Sequence, residues 1–377
     1  MAIQSFTKEL LQQGENSPTL HLTVDVLADE DEQQSTLITF YKVARPQWAA
    51  PLKCRLQGDA AIGKGVNRYL FSSVMHKVKN GFQLDLGTTN VTRLFDGQKD
   101  HLVPSASSVL VESDLFLMAG RMIGHSFIHG GPTLSGLSNA VVNILGGGTP
   151  ETAASVLTLL DCPDMDLRET VGLLQKEEAL TEEESSRLTN LCFAWDLPVP
   201  NSENKDWLFQ KLLIHAVIGR VSRQIKQLRK GLKDTGLWPL LSTRADVLPI
   251  LFPRETEVQL TSEIVLQSIR WPQQNEDSNV DSDDDVPSAA TVDRVTGFFR
   301  TFIEEATPEV LRDLMKFWVG WEVPCSKLNL VLVESTLPTA STCFERLRLP
   351  SHYHTYTALK ADMMLCLRSV DSGFGLV

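Results

Sequence analysis

The 377-residue chain has no C-x-x-C pair and no close cysteine–histidine spacing, although it holds six cysteines: Cys54, Cys162, Cys192, Cys325, Cys343 and Cys366. A structural zinc site and a disulfide scaffold therefore lose their usual signatures, and no metal is expected. The default for each cysteine is a small buried hydrophobe. A surplus of basic charge is missing too. Lys and Arg number 35 against 47 Asp and Glu, a formal charge of −12, so the chain lacks the positive field that neutralises a phosphate backbone. No nucleic-acid partner is expected. The opening residues, Met1 to Leu10, offer neither a basic segment followed by an apolar core nor a run long enough to cross a bilayer. The expectation is a protein without a membrane partner, in the cytoplasm or in the nucleus.

Several active-site motifs are missing or broken. No G-x-S-x-G elbow occurs, and Gly146-Gly147-Gly148 lacks dinucleotide spacing and reads as a helix stop. Gly58 to Gly65 nearly spells a phosphate loop, but Gly65 stands where a hydroxyl should hold magnesium, so no nucleotide cofactor is implied. His125 and His129 are four apart, yet Ser126 occupies the position of a zinc protease's glutamate. Core or capping histidines are the plainer reading.

What is present describes a folded chain: 42% hydrophobic and 22% charged residues over a length that suggests two or three structural units. Leu20 to Val26 and Thr36 to Phe40 alternate like half-buried strands. Asp114 to Ile128 has helical spacing, and Trp207 to Leu232 reads as one amphipathic helix with Gly231 near its stop. Its basic face, including Arg223, Lys226 and Lys230, reads as a solvated face rather than a membrane or calmodulin site.

Between Gln273 and Ala290 the composition turns acidic and polar, with Glu276, Asp277, Asp281, Asp283, Asp284 and Asp285. Such a stretch buries too little to offset its ordering entropy and is expected to be a mobile connector. Beyond it, Val292 to Glu305 reads as a helix. Thr307-Pro308 caps another through Trp318, Leu328 to Val333 is a strand, Leu337 to Pro350 a loop-rich crossing, and Tyr356 to Val370 a final helix.

One cysteine stands out. In Leu337-Pro338-Thr339-Ala340-Ser341-Thr342-Cys343-Phe344-Glu345-Arg346 the thiol sits in a polar segment after a proline, where exposure is expected. A thiol near its reference pKa of about 8.5 is a few per cent thiolate at neutral pH and a competent nucleophile. The residues alone reach no further than a candidate reactive cysteine.

That segment, with Leu349-Pro350 and the ending Gly373-Phe374-Gly375-Leu376-Val377, resembles the carboxyl lobe of HECT ubiquitin ligases. Upstream, Phe317-Trp318-Val319-Gly320 and Val323-Pro324 are similar to the stretch leading into that lobe's cysteine strand. Gly63-Lys64-Gly65-Val66, Leu94-Phe95-Asp96-Gly97, Gly120 to Ser126 and Glu203-Asn204-Lys205 resemble segments of the family's large lobe. The likeness runs from about Pro51 onward and is weakest from Thr149 to Leu197.

The resemblance implies an α+β, bilobal fold: a large, mostly helical N-lobe with small β elements and a small α/β C-lobe on a flexible hinge. Carried onto this chain, residues 1–50 form an N-terminal extension to a nearly stand-alone domain and 51–275 the N-lobe, with a conjugating-enzyme-docking subdomain at about 150–225. Residues 276–290 form the acidic hinge and 291–377 the C-lobe. The implied activity is a ubiquitin-protein transferase without cofactor, its partners ubiquitin, a conjugating enzyme and a protein substrate. Cys343 takes the place of the thioester-forming cysteine, with Thr342 and Phe344 in the supporting loop, and Phe374 that of the tail phenylalanine that helps position an acceptor lysine.

Some positions depart from the family. Ser341 stands where a histidine is common, Arg346 and Arg348 replace neutral neighbours, and Val377 carries no side-chain acid. The two arginines lower the thiol pKa or are plain surface charges, and His352 and His354 assist proton transfer or are exposed loop residues. The alternative, from another class, is a catalytically weak HECT-like module that binds ubiquitin or a conjugating enzyme. Ser341 and the divergent 149–197 region favour it, whereas Cys343 and Phe374 favour the transferase.

Overall fold

A computed structural model describes residues 2–43, 47–58, 63–84, 91–272, 287–323 and 327–368. The acidic connector is described only at its last residues, Ser288 leading into a helix, and Phe374 lies outside the described residues. The architecture is α+β, with helices predominating over three small sheets among the described residues.

Eight strands are present among the described residues: β1 (Leu20–Asp25), β2 (Leu52–Gln57), β3 (Phe95–Asp96), β4 (Val103–Pro104), β5 (Ile269–Arg270), β6 (Leu328–Val333), β7 (Thr339–Ser341) and β8 (Arg346–Pro350). The chain divides into two compact units. One is made of Met1–Ser17, Leu37–Ala50 and Met75–Val258, the other of Pro18–Thr36, Pro51–Val74 and Gln259–Val377. This partition follows contacts rather than chain order and places Pro51–Val74 with the cysteine-bearing end of the chain, not with the segment expected to form the N-lobe.

The first unit is built around the helices Leu115–Ile128 and Ser222–Asp234. Leu115–Ile128 is apolar nearly all round and buried along its length, as a helix without a polar face must be. The two helices cross at two glycines. A Cβ added at Gly120 would strike the Leu228 carbonyl, and one added at Gly231 the Leu117 carbonyl. Gly231 therefore serves the crossing and does not end its helix, which runs on to Asp234. The expected single helix from Trp207 is in fact two, Lys205–Ile214 and Ser222–Asp234, parted by a π-helical turn at His215–Gly219. Arg121 is held in place by Asp234 at 2.7 Å and by the Tyr41 and Lys42 carbonyls at 2.8 and 2.9 Å. His125 is fully buried among Phe40, Tyr41 and Trp48, and His129 caps the helix end, its Nε2 3.2 Å from the Trp48 carbonyl.

In the second unit β1 and β2 pair in parallel, Leu20 opposite Leu52 through Asp25 opposite Gln57, and Leu20, Leu22 and Val24 turn inward. A four-stranded sheet has the order β5-β6-β8-β7, parallel except for β7, which is antiparallel to β8. Three helices, Ala289–Glu305, Pro308–Val319 and Tyr356–Arg368, contribute Phe299, Phe302, Leu314, Trp318, Leu359 and Met363 to its core. Thr307 accepts from the Val310 amide, Pro308 sets the first turn, and Gly320 at φ +89° provides the left-handed stop that lets the chain turn back.

Two local expectations give way. Thr36 to Phe40 lies in the helix Glu30–Lys42, not in a strand. The Asp29 carboxylate accepts from the Glu32 amide at 2.9 Å, and three acids fill the first turn, favourable at a helix N-terminus. The stretch from Leu337 to Pro350 is a hairpin rather than a loop-rich crossing: β7 and β8 pair through Thr339–Arg348, Ala340–Leu347 and Ser341–Arg346.

Candidate functional site

Residues 342–345 form the tip of the β7–β8 hairpin. Thr342–Phe344 make one 3-10 turn, and Glu345, at φ +53° and ψ +38°, closes the loop in the left-handed region that four-residue hairpin connections use. Because β8 lies between β6 and β7, the tip stands at the N-terminal end of a central strand. It is anchored from beneath: Glu345 O accepts from the Asn329 amide at 2.8 Å and from the buried Trp318 Nε1 at 3.0 Å.

Cys343 and Phe344 are exposed at this tip, Phe344 with 72% of its surface in solvent, while Thr342 is half-buried. The other described cysteines, Cys54, Cys162, Cys192 and Cys366, are all buried. Burial pushes the Cys54 thiol up to about 12, and burial with the nearby Asp362 charge pushes Cys366 up to about 11. Cys162 and Cys192 are also raised, first by burial. Those four thiols are held neutral and out of reach, whereas Cys343 stands at the surface.

The departures noted in the sequence acquire partners. Arg348 Nη1 donates to Ser341 Oγ at 2.6 Å, so these two side chains serve each other on the hairpin, and Arg346 is exposed. His352 donates from Nδ1 to the Ser335 carbonyl at 3.1 Å, and His354 is exposed.

The tip also meets residues from far upstream in the same unit. Gly63 places its backbone so that a Cβ there would lie 3.3 Å from Cys343 Sγ, and a Cβ on Gly65 would collide with Thr342 Oγ1. One turn on, Arg68 Nη2 binds Glu345 Oε1 at 2.6 Å. Its Nη1 reaches the Thr342 and Val319 carbonyls at 3.3 and 3.4 Å, and its guanidinium lies over the Trp321 ring at 5.1 Å. Ser72, a further turn along, donates to Glu322. Gly65, Arg68 and Ser72 thus share one face of the helix Lys64–Asn80, at the i, i+3, i+7 spacing. None of Arg68, Glu345, Trp321 or Glu322 stood out in the sequence. The available signal was the pair Gly63/Gly65 at a helix start, which admits a close neighbour.

A second feature belongs to the other unit. The helices Pro150–Ala154 and Lys205–Ile214 border a groove of about 610 Å³ lined by Ala154, Leu157, Leu174, Phe209 and Leu213. In the same stretch of chain, residues 156–207 expose Leu160, Met165, Phe193 and Trp207 to solvent. Among the described residues no group of three or more His, Cys, Asp or Glu is placed to hold a metal ion, and no helix is long and apolar enough to cross a membrane.

A family model described as HECT-domain (ubiquitin-transferase) matches residues 83–377. A G2/M phase-specific E3 ubiquitin-protein ligase of Gallus gallus is 24% identical over 295 residues, which are 74% of this chain and 37% of that protein. The protein of the same description from Macaca fascicularis is 27% identical over 150 residues, 38% of this chain and 20% of its own length. The chain therefore spans well under half of the relatives it matches.

Proposed function

The chain belongs to the HECT-domain (ubiquitin-transferase) family, and from that membership we propose that it accepts ubiquitin on Cys343 as a thioester and passes it to a lysine of a protein substrate. Ubiquitin transfer is the activity of the family and of the ligases that the chain resembles; the residue and the two steps are our reading. The observation that carries it is the thiol itself, exposed at the tip of a pinned hairpin in a chain whose other described cysteines are buried.

In the first step the Cys343 thiolate attacks the carbonyl carbon joining ubiquitin's carboxyl terminus to the cysteine of a conjugating enzyme. A C–S bond forms at Cys343, the old C–S bond breaks, and the conjugating enzyme leaves as a thiolate. In the second, a lysine amine attacks the Cys343 thioester, an amide forms, the Cys343 thiolate departs, and the ammonium proton passes to solvent or a nearby base. Exchange of one thioester for another is close to thermoneutral, so the protein's contribution is alignment rather than driving force. A tip with Phe344 outward and Thr342 tied through its carbonyl holds sulfur within reach of a bulky acyl donor. In this reading the groove and exposed apolar residues of 150–207 receive the conjugating enzyme, and Phe374 helps place the acceptor lysine.

The test is a reducing-agent-sensitive ubiquitin adduct in a purified reaction with a panel of conjugating enzymes. Wild type forms it and Cys343→Ala does not. A folded wild type that forms none with any enzyme removes the transferase reading, and an adduct that persists on Cys343→Ala removes the site. Ser341, a hydroxyl occupied by Arg348 where the family often has histidine, favours a second reading, a weakly transferring module that binds ubiquitin or a conjugating enzyme. Binding of either protein without an adduct would support it.

A further inference from the structure

We infer that Arg68 is a positioning residue for the transfer: a guanidinium brace, delivered from a helix more than 250 residues upstream, that holds the Cys343 hairpin tip in its reactive geometry. The inference rests on Cys343 being the acceptor thiol.

Residues 342–345 have little to hold them in shape by themselves. Within the tip the Glu345 amide reaches Thr342 O at 3.4 Å, a long bond, and Glu345 sits in a backbone region that a glycine would occupy more readily. Arg68 spans this weak turn. Its two terminal nitrogens reach opposite ends of the tip, the Thr342 carbonyl and the Glu345 carboxylate, so the residues on either side of Cys343 and Phe344 are tied to one rigid plane. The same guanidinium also donates from Nη1 to the Val319 carbonyl and lies over the Trp321 ring. Arg68 is 16% exposed and Glu345 29%, so water competes only partly for these bonds.

The helix Lys64–Asn80 is itself placed to carry the brace. Gly65, where any side chain would collide with Thr342, lets it approach, and the Ser72–Glu322 bond holds the next turn. A lysine cannot replace this function, because a single ammonium on a flexible stem has neither the fork that bridges three acceptors nor the flat face that stacks. Sulfur displaced by about 1 Å from its line of attack can lose roughly 100-fold in rate.

The experiment measures single-turnover ubiquitin loading of Cys343 against conjugate concentration in the full chain. Alongside it, hydrogen–deuterium exchange follows the amides of residues 339–346. For Arg68→Ala the limiting rate is expected to fall about 10- to 100-fold while the half-saturating conjugate concentration stays within about twofold, and the 339–346 amides exchange at least tenfold faster. Arg68→Lys is expected to fall with it rather than recover. Arg68→Gln, which keeps a planar donor, serves if the alanine variant does not fold, with the same expected direction. An unchanged limiting rate, a change confined to half-saturation, or unaltered exchange at 339–346 overturns the brace. Failure is traceable to its source. If wild type forms no adduct, the reading of Cys343 falls and the exchange comparison alone decides whether Arg68 fixes the tip. If wild type loads normally and Arg68→Ala loads equally fast, the brace falls and Cys343 stands.

Discussion

Burial acts on titratable side chains in opposite ways at two places in this chain. It raises the thiols of Cys54, Cys162, Cys192 and Cys366, and it lowers the imidazoles of His125 and His129. His125 lies well below the ordinary value, first because it is buried and then because His129 opposes a second positive charge. His129 is lowered by burial despite its bond to the Trp48 carbonyl. An imidazole depressed in the folded state takes up its proton more readily once the chain unfolds. The stabilisation is therefore complete above about pH 6.5 and is lost as pH falls from there toward the folded value, by up to about 1.4 kcal/mol per pH unit for each group. His125→Gln removes one such uptake. Urea unfolding at pH 7 and pH 5.5 is expected to show wild type losing about 1 kcal/mol more than the variant over that interval, and parallel losses would contradict it. The exposure of Cys343 was legible at this scale because proline and hydroxyl-bearing neighbours advertise an exposed segment. Arg68 was not, because nothing in Gly63-Lys64-Gly65-Val66-Asn67-Arg68 tells that a turn 274 residues later will dock on it.

Among elements, the legible ones carried their own punctuation. The helix Pro308–Val319 begins at Thr307-Pro308 and ends at a left-handed Gly320, and Leu20–Asp25 alternates inward and outward as its residues do. Where local pattern and context disagreed, context won. Thr36-Leu37-Ile38-Thr39-Phe40 alternates like a strand, yet a helix already started by Asp29 and its acidic first turn runs through it and buries Gln34, Leu37, Phe40 and Tyr41 on one side. Gly231 looked like punctuation because glycine disfavours helix interiors, but its missing side chain is what allows the close crossing with Leu115–Ile128. Gly120→Ala or Gly231→Ala each forces a methyl group into a backbone carbonyl. We expect a loss of about 2 kcal/mol or more in the urea-unfolding free energy for either one, in the range of overpacked cores. A change under about 0.5 kcal/mol would mean the helices separate easily and that the crossing is not the tight point of that unit.

Over the whole molecule the α+β class and the family were readable from the sequence, and the division into contact units runs along other lines than the lobes expected in chain order. Chain order suggested lobes meeting near residue 275, whereas contacts group Pro51–Val74 with Gln259–Val377, because Gly65, Arg68 and Phe71 pack into that unit across the sequence. If transfer runs in the two proposed steps, different parts of the chain can meet their demands separately, and this leads to a double dissociation. If residues 150–207, with the groove and the exposed apolar side chains they carry, receive the conjugating enzyme, Phe193→Ala removes one of those exposed side chains and weakens capture of the donor. It should raise the conjugate concentration for half-maximal loading of Cys343 about fivefold or more, with discharge of preformed adduct to lysine unchanged. Removal of Phe374 to Val377 acts at the other step: loading proceeds at the wild-type rate and discharge to a substrate lysine slows about tenfold or more. Pulse–chase reactions with labelled ubiquitin separate the two rates. Loss of both steps together in either variant would show that the part removed supports the fold or the thiol itself, and the assignment of donor capture to the groove or of acceptor placement to the tail would fall with that result.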